Sequence, residues 1–372
     1  MRRAEATIDL GSVERNVARL RSALTGGARL CAVVKADGYG HGAVPCARAA
    51  LRGGAEVLGV AASAEAAELR AALPDATLLT MGALSADELD EVLEAGSELA
   101  VWREGFRALV ADRASALGLS PRVHVKYDTG MGRLGERDPE AVLALCAAVA
   151  ADPSLELAGI WTHFATADED DDSYLREQLA AFQEVAALAR ERHPGIVVHA
   201  ANSAATLRNP AAHFDMVRCG VAVYGLDPFG RDPAEQALEP ALELRSYVAD
   251  VKAFEPGASA GYGRTWRAPS ATWVGVLPIG YGDGVRRGLS NNAEVLIYGT
   301  PRPLVGTVSM DNITVDLGAE SEVAAGAPAV LIGAQGGERI LAEDLARALD
   351  TINYEITCGI SPRVPRVYRE PA

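Results

Sequence analysis

Three observations in this 372-residue sequence predict an α/β fold, a (β/α)8 TIM-type barrel followed by a mostly β C-terminal domain. Short apolar runs alternate with amphipathic helical patterns through the first part of the chain, and eight such βα units imply a parallel sheet closed on itself. Polar residues stand at the C-terminal ends of many different runs, the ends that meet at one rim in a closed barrel but not in a doubly wound open sheet, the competing reading. Beyond about residue 226 the helical alternation stops and strands separated by Gly, Pro and Asn turns take over. The boundaries read as 9–236 for the barrel and 237–372 for the second domain, which residues 1–8 are expected to join.

In chain order, Ser12 is placed to cap a helix in which Val13, Val17, Leu20 and Leu24 keep helical spacing, and Gly26-Gly27 ends it. Residues 30–34 form an apolar, partly β-branched run, the pattern of a strand buried on both faces. Further strands are read at 57–61, 76–81, 99–102, 122–127, 157–161, 196–200 and 214–217, with helices or short helical connections between them. The stretch 226–233 (LDPFGRDP) is a turn-rich link. After it, strands are read at 244–254, 272–278, 294–298, 304–308, 313–317 and 329–332, with one helix at 341–349.

Composition narrows the class. The apolar fraction of 49% and charged fraction of 23% are those of an ordinary soluble protein. A net charge of −15 argues against nucleic acid or an anionic membrane as partner. No apolar run reaches the roughly 18 residues of a membrane span, and the acidic start after Met1-Arg2-Arg3 lacks the pattern of a signal peptide. The five cysteines are scattered without a C-x-x-C pair, so neither a zinc site nor a disulfide framework is expected. A cytoplasmic location is the default expectation.

The chemistry gathers at the strand ends: Lys35, Lys126, Asp128, His163, Asn202, Ser203 and Arg218. Lys35 closes a buried run and is followed by Gly38, Gly40 and Gly42, which let the backbone pass close to whatever the lysine holds. Desolvation there would free its amine to act as nucleophile or base. Asn202-Ser203 offers a hydroxyl and backbone N–H groups, and Arg218-Cys219-Gly220-Val221 follows the last strand, where barrels commonly bind phosphate. A lysine beside a phosphate cradle suggests pyridoxal phosphate, held through its aldehyde. Singly, each residue has a plainer reading: Lys35 a snorkelling strand-end lysine, Ser203 a helix cap, Arg218 a surface ion pair.

Nine segments, in order along both domains, resemble the bacterial alanine racemases: 32–42 (AVVKADGYGHG), 126–135 (KYDTGMGRLG), 162–169 (THFATADE), 199–204 (HAANSA), 215–225 (DMVRCGVAVYG), 261–266 (GYGRTW), 278–284 (PIGYGDG), 308–312 (VSMDN) and 351–356 (TINYEI). The resemblance implies a homodimer with shared active sites that interconverts L- and D-alanine, supplying D-alanine for peptidoglycan, with pyridoxal 5'-phosphate as cofactor and no metal. Lys35 would carry the cofactor as an imine and serve as one base. Tyr262 of the partner subunit would be the other. Tyr39, Asn202, Ser203, Gly220, Val221 and Tyr354 would hold the phosphate end, His163 would lie against the ring, and Arg218 would face its nitrogen. Arg133, and Met310 of the partner subunit through its N–H, would bind the substrate carboxylate. Lys126 would be carbamylated and orient Arg133. Asp168, Tyr281 and Asp283 would line the entrance, although ordinary turn structure explains the last two as well.

Thr307 and Ser309 stand where some members carry Arg and Cys, which bears on substrate range. Three other readings compete. A basic amino-acid decarboxylase of the same architecture would usually face the ring nitrogen with Glu rather than Arg218. A non-catalytic pyridoxal-phosphate carrier would be a lone barrel. The third is a racemase of wider specificity, acting on serine as well.

Overall fold

The computed structural model describes residues 2–370 and divides into two compact units. One comprises Glu14–Gly38 and Ala43–Val223; the other comprises the residues up to Val13, Tyr39–Gly42 and those from Tyr224 onward. The opening strand β1 (Glu5–Asp9) belongs to the second of these.

The first unit is a closed parallel barrel of β2 (Arg29–Val33), β3 (Val57–Val60), β4 (Leu78–Thr80), β5 (Glu98–Val101), β6 (Arg122–Lys126), β7 (Glu156–Trp161), β8 (Val197–His199) and β9 (Met216–Cys219), β9 returning to pair with β2. The strands are short and almost wholly buried, as parallel strands with helices outside and side chains inside must be. Local chemistry sets the helices between them. Ser85 and Glu88 form a reciprocal capping box that starts Ala86–Glu94, the Glu88 N–H donating to Ser85 Oγ at 3.3 Å and the Ser85 N–H to Glu88 Oε2 at 2.8 Å. Asp138 caps Pro139–Ala151, with proline at the first helical position.

The second unit is mostly β. The remaining strands are β10 (Leu242–Tyr247), β11 (Asp250–Phe254), β12 (Ser259–Ala260), β13 (Trp266–Arg267), β14 (Thr272–Leu277), β15 (Glu294–Ile297), β16 (Thr300–Pro303), β17 (Ile313–Gly318), β18 (Pro328–Gln335), β19 (Glu338–Ile340) and β20 (Arg366–Arg369). One sheet runs β16-β15-β18-β10-β1-β20, with β19 pairing β18; another runs β11-β14-β17; β12 and β13 pair alone. β1 thus lies between β10, antiparallel, and β20, parallel.

Several elements differ from the sequence reading. The first helix, Leu10–Ser22, is capped by Asp9, whose Oδ1 accepts the Ser12 N–H at 3.0 Å; Ser12 lies inside the first turn because β1 ends with that carboxylate already in place. The strand expected over 244–254 is two strands in two sheets. The chain changes sheets at Val248-Ala249: the Val248 N–H donates to the Ala327 carbonyl, just before β18, and the Ala249 N–H to the Val276 carbonyl on β14, in the other sheet. Residues 304–308 are irregular apart from a bridge at Leu304, and the strand lies at Thr300–Pro303 instead. It follows a two-residue turn, Tyr298-Gly299, with φ of 53° and 72°, the double left-handed geometry of a tight hairpin. Its two prolines are tolerated because it is the sheet's edge. A short helix, Asn353–Cys358, was not read from the pattern. Among the described residues no helix is long and apolar enough to cross a membrane.

Phe182, fully buried in the helix Ser173–Arg192, meets Phe214 edge-on with ring centroids 5.4 Å apart. Phe182→Ala is expected to cost about 3–5 kcal/mol, read as a lower urea midpoint of the barrel; an unchanged midpoint would show that the helix does not depend on this contact.

Candidate functional site

The chain leaves β2 through an unusual turn. Directly after Lys35, Ala36, Asp37, Gly38 and Tyr39 all take left-handed backbone conformations, with φ of 53°, 50°, 60° and 54°. For the three that are not glycine this costs roughly 1–2 kcal/mol each, so the surroundings must hold the turn in place. Glu65 does much of this: its Oε1 accepts the Ala36 N–H at 2.7 Å while Oε2 accepts the N–H groups of Ala61 and Ala62 at the end of β3. Asp37 accepts the Ala43 N–H at 2.8 Å, and the Gly38 N–H donates to the Val34 carbonyl. Lys35 is thereby set, half-buried, at the mouth of the barrel.

Around that mouth the barrel gathers positive charge. Lys126, the last residue of β6, is buried, its Nζ 4.2 Å from the centre of the Trp161 ring. Arg218 on β9 packs on the same ring, its Cζ 4.7 Å from the centre. Arg218 is also buried, 3% exposed, and its partners are two imidazoles and two carbonyls. Nη1 lies 2.9 Å from His199 Nδ1, and Nη2 lies 3.2 Å from His163 Nδ1 while donating to the carbonyls of Thr162 at 2.7 Å and Ala200 at 2.9 Å. No carboxylate is among them, which overturns the surface ion-pair reading. Arg133 is exposed, on a loop organised by Asp128, whose carboxylate accepts the N–H groups of Gly130 and Gly132.

These charges act on one another. Burial, then Arg218 and Arg133, bring the Lys126 amine down to about 7, with Asp128 opposing and Lys35 adding to the effect. Burial brings the Arg218 guanidinium down to about 10. His163 is held well below the usual imidazole range by its burial and then by Arg218, Lys126, Arg133 and Lys35. Lys35, Arg133 and Arg218 thus all bear on Lys126, with Asp128 the opposing carboxylate among the leading influences. The buried Trp161 Nε1 also lacks an acceptor among the described residues. The site is rich in donors and short of anions.

Beside the cations, Asn202 caps the short helix Ser203–Arg208, its Oδ1 accepting the Ala205 N–H at 2.9 Å. Ser203 is therefore the first residue of the helix and not its cap. Its Oγ accepts the Gly220 N–H at 3.0 Å and the Ala222 N–H at 3.4 Å, joining the turns after β8 and β9 on either side of the buried Val221. Asp168 is exposed on the loop after β7.

The second unit holds the remaining candidates. Tyr39 is buried against Tyr224 and Tyr354, ring centroids 5.2 and 5.9 Å away. Gly40 next to it has φ of 83°, and a Cβ there would lie 2.2 Å from the Thr357 carbonyl oxygen, so only glycine fits. Tyr262 is 75% exposed and Met310 is 51% exposed. Thr307 Oγ1 donates to the Tyr262 carbonyl at 2.8 Å, and both residues line an open depression with Ser309, Asn312 and Thr314. Tyr281 is exposed, whereas Asp283 is fully buried, its carboxylate paired with both Arg3 Nη atoms at 2.8 and 2.9 Å and accepting the Gly280 N–H. The Gly280 bond is the turn-building kind that the plainer reading of Asp283 describes, whereas the pair with Arg3 joins residues 280 positions apart.

Lys35, Lys126, Arg133, His163 and Arg218 are therefore brought together on the barrel, with Asn202, Ser203, Gly220 and Val221 on neighbouring turns, while Tyr39, Tyr354, Tyr262, Met310, Tyr281 and Asp283 belong to the other unit. The residues that the sequence reading passed over are Glu65, Glu98, His124, Trp161 and His199. A signal for one was present: Arg122, His124 and Lys126 alternate along β6, and every second residue of a barrel strand shares a face.

The profile described as "Alanine racemase, N-terminal domain" matches residues 8–228, and "Alanine racemase, C-terminal domain" matches residues 241–368. The curated alanine racemase of Symbiobacterium thermophilum is 43% identical over 371 residues, covering 99% of this chain and 97% of that protein. That of Desulforamulus reducens is 41% identical, covering 98% of each. Among solved structures, alanine racemase from the D-cycloserine producer Streptomyces lavendulae superposes with a TM-score of 0.93 at 39% identity, covering 99% of this chain and 97% of that one. The enzyme of Streptomyces coelicolor A3(2) gives 0.93 at 41% identity, covering 98% and 97%.

Lys126 generates a stability test. Folded it titrates at about 7, against an ordinary 10.5, so between these values the unfolded chain binds a proton that the fold does not. The fold loses stability as the pH falls from 10.5 to about 7 and carries the whole cost below that. In bicarbonate-free buffer, Lys126→Met is expected to raise the urea midpoint at pH ~6 and to lose that gain towards pH ~10. An equal shift at both pH values would show that the charge is not the cause.

Proposed function

The chain belongs to the alanine racemase family and is an isomerase, and from that premise we propose that it interconverts L- and D-alanine on pyridoxal 5'-phosphate in a cytoplasmic homodimer, supplying D-alanine for peptidoglycan. The observation that carries this reading is the concentration of Lys35, Lys126, Arg133 and Arg218 at one rim. A phosphate and an amino-acid carboxylate are what such a donor-rich site lacks, and Lys35 adds an amine for an aldehyde, so the residues present fit the cofactor. When bound, pyridoxal phosphate supplies that aldehyde and a ring that takes up the electron pair left as Cα loses its proton.

The protein's own groups then have distinct tasks. Racemisation takes a proton from one face of Cα and returns one to the other, so two bases on opposite faces suffice. Lys35 Nζ serves one face and Oη of Tyr262 of the partner subunit serves the other; a positioned base contributes roughly 10²–10⁴ in rate. The exposure of Tyr262 and Met310 supports their use by a second copy. Tyr39, Tyr354, Asn202, Ser203, Gly220 and Val221 would hold the phosphate end and His163 would lie against the ring. Arg218 would face the ring nitrogen, and because a guanidinium gives up a proton reluctantly, it would leave that nitrogen unprotonated. Arg133, and Met310 of the partner subunit, bind the substrate carboxylate, and Asp168 and Tyr281 stand at the entrance, where the buried Asp283 holds the turn that carries Tyr281. Lys126 is carbamylated: its amine is neutral enough near pH 7 to form an N–C bond to carbon dioxide, releasing one N–H proton to solvent, and the resulting anion relieves its repulsion with Arg218 and Arg133.

Assays of L-alanine, L-serine and L-lysine side by side test the substrate. Racemisation of alanine well above the other two is expected, and preference for serine would replace this reading with a broader one. With 13C-bicarbonate, a carbamate resonance is expected in the wild type and not in Lys126→Ala; its absence from the wild type rules out the modification. The shared site is tested by subunit mixing. Lys35→Ala and Tyr262→Ala are each expected to be nearly inactive. Refolded together, half the dimers are mixed, one site in each is intact, and about a quarter of all sites should recover. No recovery in mixed dimers confirmed by mass would place both bases on one chain.

A further inference from the structure

Beneath the rim, a line of polar side chains crosses the barrel interior. Arg218 Nη1 lies 2.9 Å from His199 Nδ1, His199 Nε2 lies 2.9 Å from His124 Nδ1, and His124 Nε2 lies 2.6 Å from Glu98 Oε2. Glu98 is the first residue of β5, at the end of the strand away from the rim. The two imidazoles and the guanidinium are buried, and Glu98 is capped from outside by Arg122 at 2.8 Å.

The barrel is shaped around this line. The pairing of β6 with β7 shifts register between Val123 and His124, the kind of irregularity that re-aims a side chain. Across from it β7 carries Gly159, where a Cβ would lie 2.5 Å from His124 Nδ1, the atom that joins the two rings. Trp161 lies parallel to His199, 3° between planes and 5.7 Å between centres.

The two ends give the line one direction. A guanidinium only donates, so His199 Nδ1 accepts and its proton sits on Nε2. That proton goes to His124 Nδ1, which places the His124 proton on Nε2, donated to a carboxylate that only accepts. A second proton on either ring would set two donors face to face. An ionised Glu98 and a neutral His199 agree with this order. Burial tends to raise the Glu98 carboxyl, but its bonds to His124 and Arg122 outweigh that and hold it below the usual range. Burial and Arg218 hold His199 well below its own.

We propose that Glu98 is a positioning residue for Arg218, acting through His124 and His199 to fix both imidazoles as Nε2–H tautomers and so keep an acceptor aimed at the guanidinium. This rests on the reading of Arg218 as the group that faces the cofactor ring, and extends it to a carboxylate at the other end of the barrel. Without Glu98 the His124 proton has no acceptor, both rings are free to change tautomer, and His199 can present Nδ1–H to Arg218, which must then turn away.

Ring 15N spectra of the 15N-histidine-labelled holoenzyme test this. In the wild type, His124 and His199 are each expected to show a pyridine-like Nδ1 and a pyrrole-like Nε2; a protonated Nδ1 on either overturns the proposal. Glu98→Leu is expected to change the tautomer of His124 and His199 and to lower kcat about tenfold, the loss of one charge-assisted hydrogen bond, with KM little altered. Glu98→Gln, which retains an acceptor, is expected to keep both tautomers, and keeps the test decisive if the leucine variant does not fold. Arg122→Gln, which removes only the outer ion pair, is expected to change neither tautomers nor kcat. Wild-type tautomers in Glu98→Leu, altered ones in Glu98→Gln, or the same losses in Arg122→Gln would each overturn the role. Absence of racemisation in the wild type would defeat the racemase reading while leaving the tautomers to decide this one.

Discussion

Confinement of positive charge in a poorly hydrated barrel mouth is the constraint on which the rest of the site depends. Lys126 and Arg218 lie on one indole ring, and both are buried. Burial first, and then repulsion from Arg218 and Arg133 that little water screens, pulls the Lys126 amine far below its ordinary range. A buried like-charge cluster is unfavourable unless anions join it. On the proposal above, the arrangement is half of a neutral assembly, the other half arriving as phosphate, carboxylate and carbamate.

Arg218 is tolerable in that setting because its donors are used. Four hydrogen bonds, two to ring nitrogens and two to carbonyls, replace the water it lost. A lysine there could not reach four partners in one plane, and a carboxylate would meet the carbonyls of Thr162 and Ala200 with like polarity. The same donor geometry dictates which nitrogen of His199 is free, and hence the ordering of the polar line below it. Charge placed for chemistry at the rim is in this way tied to residues that never approach the substrate.

The left-handed turn after Lys35 shows the complementary principle. Its backbone is unfavourable by itself, and the bonds that hold it come from Glu65, in the first turn of the helix Ser63–Ala72, and from Asp37 within the turn. Strain held by several independent contacts leaves little freedom to the residue it carries. Lys35 is thus fixed by backbone geometry, whereas Lys126 is fixed by packing on Trp161.

The sequence by itself determined the barrel, the β-rich second part and the position of most rim residues. These are local properties: strand and helix periods are written in neighbouring residues, and a polar residue at the end of an apolar run is visible without knowing its partners. It also placed Lys35, Lys126, His163 and Arg218 at strand ends, where the barrel indeed gathers them. Only the tertiary structure decided that Asp9 rather than Ser12 caps the first helix, that the chain changes sheets at Val248-Ala249, and that Asp283 is buried against Arg3. It alone joined Glu98, His124, His199 and Arg218, residues separated by 26, 75 and 19 positions along the chain. The physical reason is the same in each case. Hydrogen bonding, burial and Coulomb repulsion depend on distance in space, and closure of the barrel sets those distances only after every strand is in place.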